Sequence, residues 1–250
     1  MANIIEIKNL YKKYKNADDF SVKDFSMDIA EGEIFGILGP NGAGKTTLIS
    51  MLCGLIKPSS GNFTIDGLSP KNKMTSIQKI IGIVPQEYAL YSTLSSRENL
   101  MFFGALYGLK GNVLKNKIEE GLERVGLKDK GDKKIKHFSG GMKRRCNLIA
   151  GILHEPKLLF LDEPTVGVDV QSRNVIIEYL QELNRKGTTI IYTSHHLQEA
   201  EEFCTRIAII DNGQLYAIGS PQELIEKTPN AKNLEDVFIA LTGKELRDAV

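Results

Sequence analysis

Residues Gly39–Thr47 read GPNGAGKTT, and this stretch decides what fold the rest of the chain must supply. A short apolar run, Ile34–Leu38, comes just before it, and a helical pattern with leucines at positions 48, 52 and 55 follows. A glycine loop between a strand and a helix is the context in which the P-loop motif binds a nucleoside triphosphate. The plain alternative, a glycine turn before an incidental Lys-Thr pair, does not require a strand and a helix on those sides.

The residue types in the loop indicate how it would hold phosphate. Glycines let backbone N–H groups turn inward towards phosphate oxygens, and the positive end of the following helix adds to the attraction. Lys45 is expected to reach the β- and γ-phosphates, and the Thr46 hydroxyl is expected to ligate Mg²⁺. The residues predicted to bind the nucleotide are Gly39, Pro40, Asn41, Gly42, Ala43, Gly44, Lys45, Thr46 and Thr47.

The stretch LLFLDEP at Leu158–Pro164 is the second candidate part of the site. An apolar strand that ends in an acid delivers a carboxylate to the carboxyl edge of the sheet, where the P-loop also lies. We expect Asp162 to hold Mg²⁺ and Glu163 to act on the attacking water as the general base. Taken alone, the two acids are also consistent with the plain end of a strand before Pro164, but their place after a glycine loop favours the catalytic interpretation.

Short apolar runs alternate with helical patterns along the chain, which indicates an α/β fold. Nearly continuous apolar runs are typical of parallel strands that are covered on both faces. We therefore predict a P-loop NTPase with a mainly parallel sheet core, an N-terminal antiparallel β part and an inserted helical lobe. The predicted core strands are Ile34–Leu38, Ile80–Val84, Leu158–Leu161, Thr189–Thr193 and Ile207–Ile210.

The strand pattern stops between Gln86 and Pro156, and helical patterns replace it. Ser95 and Glu98 form a capping box for a helix through Tyr107, a second helical pattern covers Asn112–Val125, and a third begins at Ser139. The third pattern places Met142, Cys146, Ile149 and Leu153 on one face. We predict an ATP-binding core at residues 1–86 and 156–220, a helical lobe at 87–155 and a C-terminal helical tail at 221–250.

The composition of the 250-residue chain excludes some classes of protein. Its net charge of +1 gives no support to a nucleic-acid partner. Its longest aliphatic runs are too short to span a bilayer, and its N-terminus lacks the pattern of a signal peptide. The three scattered cysteines, Cys53, Cys146 and Cys204, show neither metal-ligand nor disulfide spacing, so we expect reduced thiols in a cytosolic protein.

A further phosphate-binding helix start is indicated at Phe138-Ser139-Gly140-Gly141-Met142. One chain has only one glycine loop to combine with it. The two motifs fit together when two copies meet head to tail and each caps the nucleotide of the other, which would make the nucleotide a reversible clamp between subunits.

With these three motifs together, the chain resembles the nucleotide-binding subunit of ATP-binding cassette (ABC) transporters from about Leu10 to Leu246. The resemblance implies that Ser139, Gly140 and Gly141 contact the γ-phosphate of ATP and that Asp169 crosses the dimer interface. It implies that Tyr14 stacks on adenine, with Tyr11 and Phe20 as alternatives. It also implies that Gln86 senses Mg²⁺ and water, and that His195, rather than His196, contacts the γ-phosphate.

The motif at Ser139 departs from the commonest family form at two positions. Phe138 stands where leucine is usual, and Met142 stands where glutamine is frequent. Phe138 is expected only to pack, while Met142 removes one strong hydrogen bond across a dimer. The basic run of Lys143, Arg144 and Arg145 is interpreted as a solvated helix face or a set of salt bridges within the domain.

The resemblance implies an ATPase that powers a separate transmembrane permease, from the inner face of the cell membrane, as one of two identical or different nucleotide-binding subunits. GMKRR, RENLMFFGALYGL and LEDVFIALTGKELRD are most similar to the subgroup that exports drugs, lipids, polysaccharides or antibiotics. The alternative is a soluble ABC ATPase that acts on ribosomes or DNA, although this chain has one cassette and no sustained heptads. A P-loop kinase would leave the Ser-Gly-Gly helix unexplained.

The junction between the core and the helical lobe is the predicted docking surface for the permease. Glu87–Tyr91 follows Gln86 directly, and aromatic residues are enriched at protein interfaces. We expect Tyr88, Leu90 and Tyr91 to form the docking contacts, and at least one of Phe102 and Phe103 to belong to the lobe core.

Overall fold

The structure, a computed structural model, describes residues 2–243. Its strands are β1 (Asn3–Lys12), β2 (Val22–Ala30), β3 (Ile34–Leu38), β4 (Ser60–Ile65), β5 (Ile81–Val84), β6 (Leu158–Asp162), β7 (Thr189–Ser194), β8 (Arg206–Asp211) and β9 (Gln214–Gly219). Its helices are α1 (Lys45–Leu52), α2 (Pro70–Ile80), α3 (Ser96–Leu106), α4 (Gly111–Arg124), α5 (Gly140–Ile152), α6 (Val170–Arg185), α7 (Leu197–Phe203), α8 (Pro221–Lys227) and α9 (Leu234–Thr242).

The chain divides into two compact units. The first unit contains the residues up to Gln78 and those from Thr189 onward, and the second contains Lys79–Thr188. None of the helices within the described residues is long and apolar enough to cross a membrane.

The first unit contains the predicted antiparallel β part and most of the predicted parallel strands. β1 pairs with β2 on one side and β4 on the other, antiparallel to both. β3 pairs in parallel with β7 and β8, and β9 runs antiparallel to β8. Every residue of β3 and of β7 is buried, as the nearly continuous apolar runs predicted. The predicted α/β fold class is confirmed.

The C-terminal part of the first unit ends in two short helices, as predicted. Ser220 and Glu223 form the capping box of α8, with Pro221 at its first position. In α9, Leu234, Val237 and Phe238 are buried, and the helix stops at Gly243 in the left-handed conformation. Residues 244–250 of the predicted tail lie outside the described residues.

The second unit combines the parallel strand pair β5–β6 with α3, α4, α5 and α6. The predicted capping box of α3 is present at Ser95 and Glu98. Cys146, Ile149 and Leu153 of α5 lie in the core of the helices, and Met142 packs against that core. Phe138 is buried in the same core, as its expected packing role requires.

The division predicted from the sequence, with the core at 1–86 and 156–220 and the lobe at 87–155, stays a prediction about domains. The compact units differ from it because β5, β6 and α6 group with the lobe helices. Two glycines explain the close packing of β5 and α5: a Cβ at Gly82 would collide with the carbonyl of Gly151, and one at Gly151 would lie 2.8 Å from the carbonyl of Ile83.

Candidate nucleotide site

The loop from Gly39 to Gly44 joins β3 to α1 in a conformation that needs glycine. Gly42 and Gly44 have φ of +82° and +103°, which side-chain-bearing residues rarely adopt. A side chain at Gly39 would collide with the carbonyl oxygen of Ile210, and one at Gly44 with that of Ser21. These glycines allow the loop to close over the end of β3 and to start α1 at Lys45.

Lys45 is buried, and its ammonium group lies inside the loop. Nζ donates hydrogen bonds to the carbonyl oxygens of Gly39 at 2.7 Å and Pro40 at 3.1 Å. The positive charge is thus held where the backbone N–H groups of a P-loop gather around phosphate.

His195 lies at the edge of the sheet from which the P-loop begins. Leu38 of β3 and Ser194 of β7 are register partners, so Gly39 and His195 leave neighbouring strands at the same end. The His195 ring is half-buried and lies 4.2 Å from the exposed ring of His196, centre to centre. The structure therefore brings both candidate histidines to this edge, and the choice of His195 stays a prediction.

Tyr14 lies beside the start of α1. Its hydroxyl is 3.4 Å from the Thr47 hydroxyl, and its ring is 43% exposed. The Tyr11 ring is instead engaged edge-on by Phe20, at 5.7 Å between centres. The Tyr14–Thr47 hydrogen bond places the Tyr14 ring beside the end of the P-loop.

In the second unit, Gln86 and Glu163 meet through their side chains. Val84 of β5 and Leu161 of β6 are register partners, and Gln86 and Glu163 each lie two residues beyond them. The Gln86 side-chain amide donates a hydrogen bond to Glu163 Oε2 at 3.1 Å. Asp162 and Glu163 are both buried, and Glu163 has a φ of +49°. Strained backbone of this kind is found preferentially at functional sites, and here it lies directly after the end of β6.

The Ser-Gly-Gly motif forms the N-terminus of α5. The Ser139 hydroxyl accepts a hydrogen bond from the backbone N–H of Met142 at 3.2 Å. Gly140 is exposed, and a Cβ there would have ordinary contacts only, the nearest at 3.6 Å from the Tyr88 hydroxyl. Gly141 is buried against Ser172 and Asp169, and it leaves no space for a side chain.

Asp169 caps α6 within its own chain. Its carboxylate accepts hydrogen bonds from the backbone N–H of Ser172 at 2.8 Å and from the Ser172 hydroxyl at 2.9 Å. These bonds hold the pKa of the Asp169 carboxyl below its ordinary value. The predicted contact of Asp169 across a dimer interface stays a prediction.

The interpretation of the basic run at 143–145 was wrong for its two arginines. Arg144 is buried, and its guanidinium donates to the carbonyl oxygens of Pro85 and Gln86. Arg145 is half-buried and donates to the carbonyl oxygens of Val125 and Gly141. Sequence analysis missed both roles because spacing along a helix does not reveal which loop packs against it.

Comparison with known proteins assigns the family. The family model described as "ABC transporter" matches residues 22–166, and the chain therefore belongs to the ABC transporter family of ATP-binding proteins. It is an ATP-binding chain with the ATPase activity of that family. The predicted resemblance is confirmed.

The relatives include export and resistance proteins. The chain is 46% identical to the linearmycin resistance ATP-binding protein LnrL of Bacillus subtilis (strain 168), covering 98% of this chain and 77% of the relative. It is 40% identical to the Nod factor export ATP-binding protein I of Rhizobium sp. (strain N33), covering 89% and 73%. Several plant relatives are longer, and the chain spans 24% of their length.

Among solved structures, a dimeric ATP-binding cassette in a post-hydrolysis state with ADP and Pi matches with a TM-score of 0.80. The two are 26% identical, and the match covers 86% of this chain and 98% of that one.

We predict that Tyr14→Ala weakens ATP binding about tenfold, because stacking of a base on an aromatic ring contributes about 1–3 kcal/mol. Tyr14→Phe keeps the ring, and Phe20→Ala removes a neighbouring exposed ring, so both should bind ATP within about twofold of the parent. Calorimetric titration with ATP measures all three. Weaker binding by Phe20→Ala, with Tyr14→Ala unchanged, would transfer the stacking role to Phe20.

Proposed function

We propose that this chain is the ATP-hydrolysing subunit of an exporter, and that two such subunits meet head to tail around two ATP molecules. The observation that carries the proposal is the N-terminus of α5. It presents Ser139 and the exposed Gly140 at the start of a helix of 13 residues, apart in the chain from the P-loop. A helix N-terminus of this kind favours a negatively charged group such as phosphate.

The head-to-tail arrangement follows from the number of phosphate-binding parts. Each chain carries one P-loop and one Ser-Gly-Gly helix start, so two chains can complete two equivalent nucleotide sites, each made from both subunits. Gly140 and Ser139 would approach the γ-phosphate that the opposing P-loop holds. The solved cassette with ADP and Pi is dimeric, which supports a dimer of this chain.

The proposed Mg²⁺ ligands are the Thr46 hydroxyl, the Asp162 carboxylate and the Gln86 side-chain oxygen. All three are hard oxygen donors, as Mg²⁺ requires. Because the Gln86 nitrogen donates to Glu163, its amide oxygen is directed away from that carboxylate and is available to a cation. When bound, Mg²⁺ would neutralise charge on the phosphates during hydrolysis.

Glu163 is the proposed general base. It would accept a proton from the attacking water, while the Gln86 amide keeps its carboxylate in place. Lys45 would hold the β- and γ-phosphates, and His195 would contact the γ-phosphate. Once hydrolysis has removed the shared γ-phosphate, the bridge between the subunits is lost and the dimer opens.

A transmembrane permease is the proposed partner, which places the chain on the cytoplasmic face of the cell membrane. The export relative and the resistance relative support this role over a soluble ABC ATPase that acts on ribosomes or DNA. The near-neutral charge of the chain also disfavours a nucleic-acid partner. Fractionation distinguishes the two functions, because the transport subunit travels with membranes only when its permease is present.

We predict that Glu163→Gln abolishes turnover but keeps ATP binding. General-base catalysis contributes on the order of 10²–10⁴ in rate, and glutamine keeps the shape of the side chain without its basicity. The variant should accumulate as an ATP-bound dimer, measured by light scattering with ATP and again after nucleotide removal. Glu87→Gln, a neutralised acid beside Gln86, is the control and should behave as the parent. Parental turnover by Glu163→Gln would remove Glu163 from the mechanism.

We predict that Gly140→Asp separates ATP binding from turnover. The structure has room for a Cβ there, and aspartate in the first turn suits a helix, so the variant should fold. Its negative charge would oppose the γ-phosphate held by the other subunit. Turnover should fall by more than about 100-fold, which is the scale of losing one electrostatic contact in a transition state.

Gly140→Asn, which has the same size without the charge, is the matched control and should lose less activity. ATP binding to the monomer should stay within about twofold of the parent in both variants, since neither changes the P-loop. Equal loss of binding and turnover in Gly140→Asp would mean that the Ser-Gly-Gly motif is only structural.

The proposed docking surface for the permease is an aromatic patch on the second unit, made of Tyr88, Tyr91, Met101 and Phe102. All four are at least 39% exposed, and Tyr91 packs edge-on against Phe102 at 5.2 Å between ring centres. Leu90, the third predicted docking contact, is partly buried and packs against the helical core, so we leave it out of the patch. A short amphipathic helix of the permease would suit such a surface.

We predict that Tyr91→Glu prevents co-purification with the permease and leaves the ATPase activity of the isolated subunit within about twofold of the parent, because buried aromatic residues dominate binding energies at interfaces. Val113→Glu, which changes an exposed valine at the start of α4, is the control. Recovery of Tyr91→Glu with its permease at parental yield would place docking elsewhere.

A further inference from the structure

Arg144 is an unusual buried cation. It is 4% exposed and makes no ion pair with a carboxylate among the described residues. One nitrogen, Nη1, donates to the carbonyl oxygens of Pro85 at 3.2 Å and Gln86 at 2.8 Å, while Nε has no hydrogen-bond partner within residues 2–243. Burying a charge without an opposite charge beside it is costly, so its position calls for an explanation beyond packing.

The bonds of Arg144 are part of a larger contact between α5 and the Pro85–Ala89 loop. Asn147, one turn further along α5, donates to the Pro85 carbonyl at 3.3 Å and accepts from the backbone N–H of Ala89 at 3.2 Å. In the other direction, the Tyr88 hydroxyl donates to the carbonyl of Gly140 at 3.3 Å. The Arg144 guanidinium lies 5.0 Å from the centre of the Tyr88 ring.

This contact connects the Ser-Gly-Gly motif to the proposed catalytic pair in the same subunit. Gly140 begins α5, Arg144 holds the backbone of Gln86, and the Gln86 side chain holds Glu163. Burial lowers the pKa of Arg144, whereas Tyr88, Glu163 and Asp162 act in the opposite direction.

We propose that Arg144 is a positioning residue for ATP hydrolysis. It holds the Gln86 backbone so that the Gln86 side chain stays against Glu163, and because Arg144 lies on α5, a movement of α5 would shift Gln86. The inference rests on the proposed function, because in a head-to-tail dimer α5 would touch the nucleotide of the opposing P-loop. Seating of α5 on one nucleotide would then align the general base at the other nucleotide site. Arg144 acts through Gln86 and does not itself touch the substrate.

The test is a double-mutant cycle between Arg144 and Gln86. Arg144→Met removes the donors and the charge but keeps an unbranched apolar side chain. We expect kcat to fall about 10- to 100-fold, the scale of a misplaced catalytic group, with the KM for ATP within about twofold of the parent. In a Gln86→Ala background the same substitution should cost less than about twofold, because residues that act as a unit are not additive.

Two further variants separate positioning from stability. Arg144→Lys keeps the positive charge and a single donor nitrogen, so it should recover part of the kcat that Arg144→Met loses. Arg97→Met removes an arginine of the same unit that binds Glu119, Asp132 and the Lys128 carbonyl rather than the Pro85–Ala89 loop. It removes ion pairs and is expected to lower thermal stability, but its kcat should match the parent. The Hill coefficient for ATP should fall towards one in Arg144→Met and stay parental in Arg97→Met.

The outcomes are distinguishable from failure of the proposed function. If the parent shows no ATP-dependent dimer and Glu163→Gln hydrolyses ATP normally, the proposed function itself fails. If the parent behaves as proposed, an equal loss from Arg144→Met in both backgrounds, or a loss confined to KM, would overturn the positioning role. Should Arg144→Met not fold, Arg144→Lys takes its place in the cycle, and an equal loss of kcat from Arg144→Lys in the parent and in the Gln86→Ala background would overturn the positioning role as well.

Discussion

The rest of the fold depends on one requirement: backbone N–H groups must converge on a phosphate at the end of a buried strand. The loop from Gly39 to Gly44 meets this requirement with two positive-φ glycines, Gly42 and Gly44. At Gly39, any side chain would collide with the carbonyl oxygen of Ile210. A loop so tightly curved needs a rigid strand before it and a helix after it, which β3 and α1 supply. Because β3 lies between β7 and β8, the ends of its neighbours arrive at the same edge of the sheet. Position in the sheet, rather than proximity in sequence, thus brings His195 beside the loop.

The same geometry repeats in the second unit. Val84 and Leu161 are register partners in neighbouring parallel strands, so the residues that follow them emerge together. This explains why Gln86 and Glu163, 77 residues apart, share a hydrogen bond. Glu163 adopts a left-handed backbone conformation directly after the strand. Strain of about 1–3 kcal/mol at such a residue is tolerated only where the surrounding structure fixes it, and the buried strands on this edge do so.

Much of this was predictable because its causes are local. Apolar runs identified the buried strands, and the Ser95 and Ser220 capping boxes identified two helix starts. The contacts that the sequence did not predict have another cause. The burial of Arg144 and the packing of Leu90 are decided by which loop lies against which helix, and hydrophobic spacing along one element carries no information about that.

The Ser-Gly-Gly motif carries Met142 where related motifs often carry glutamine, and the contacts of Met142 explain why this is tolerated. The backbone N–H of Met142 donates a hydrogen bond to the Ser139 hydroxyl, and the Met142 side chain packs on the helical core. Met142 therefore stabilises the start of α5 without a polar side chain. Phosphate recognition at a helix start depends mainly on backbone N–H groups and on the helix dipole, neither of which needs a glutamine at this position. What α5 must supply instead is a fixed orientation. Asn147 and Arg144 provide it by binding the Pro85–Ala89 loop, so the helix that would recognise one phosphate is attached to the loop that holds the proposed base for another.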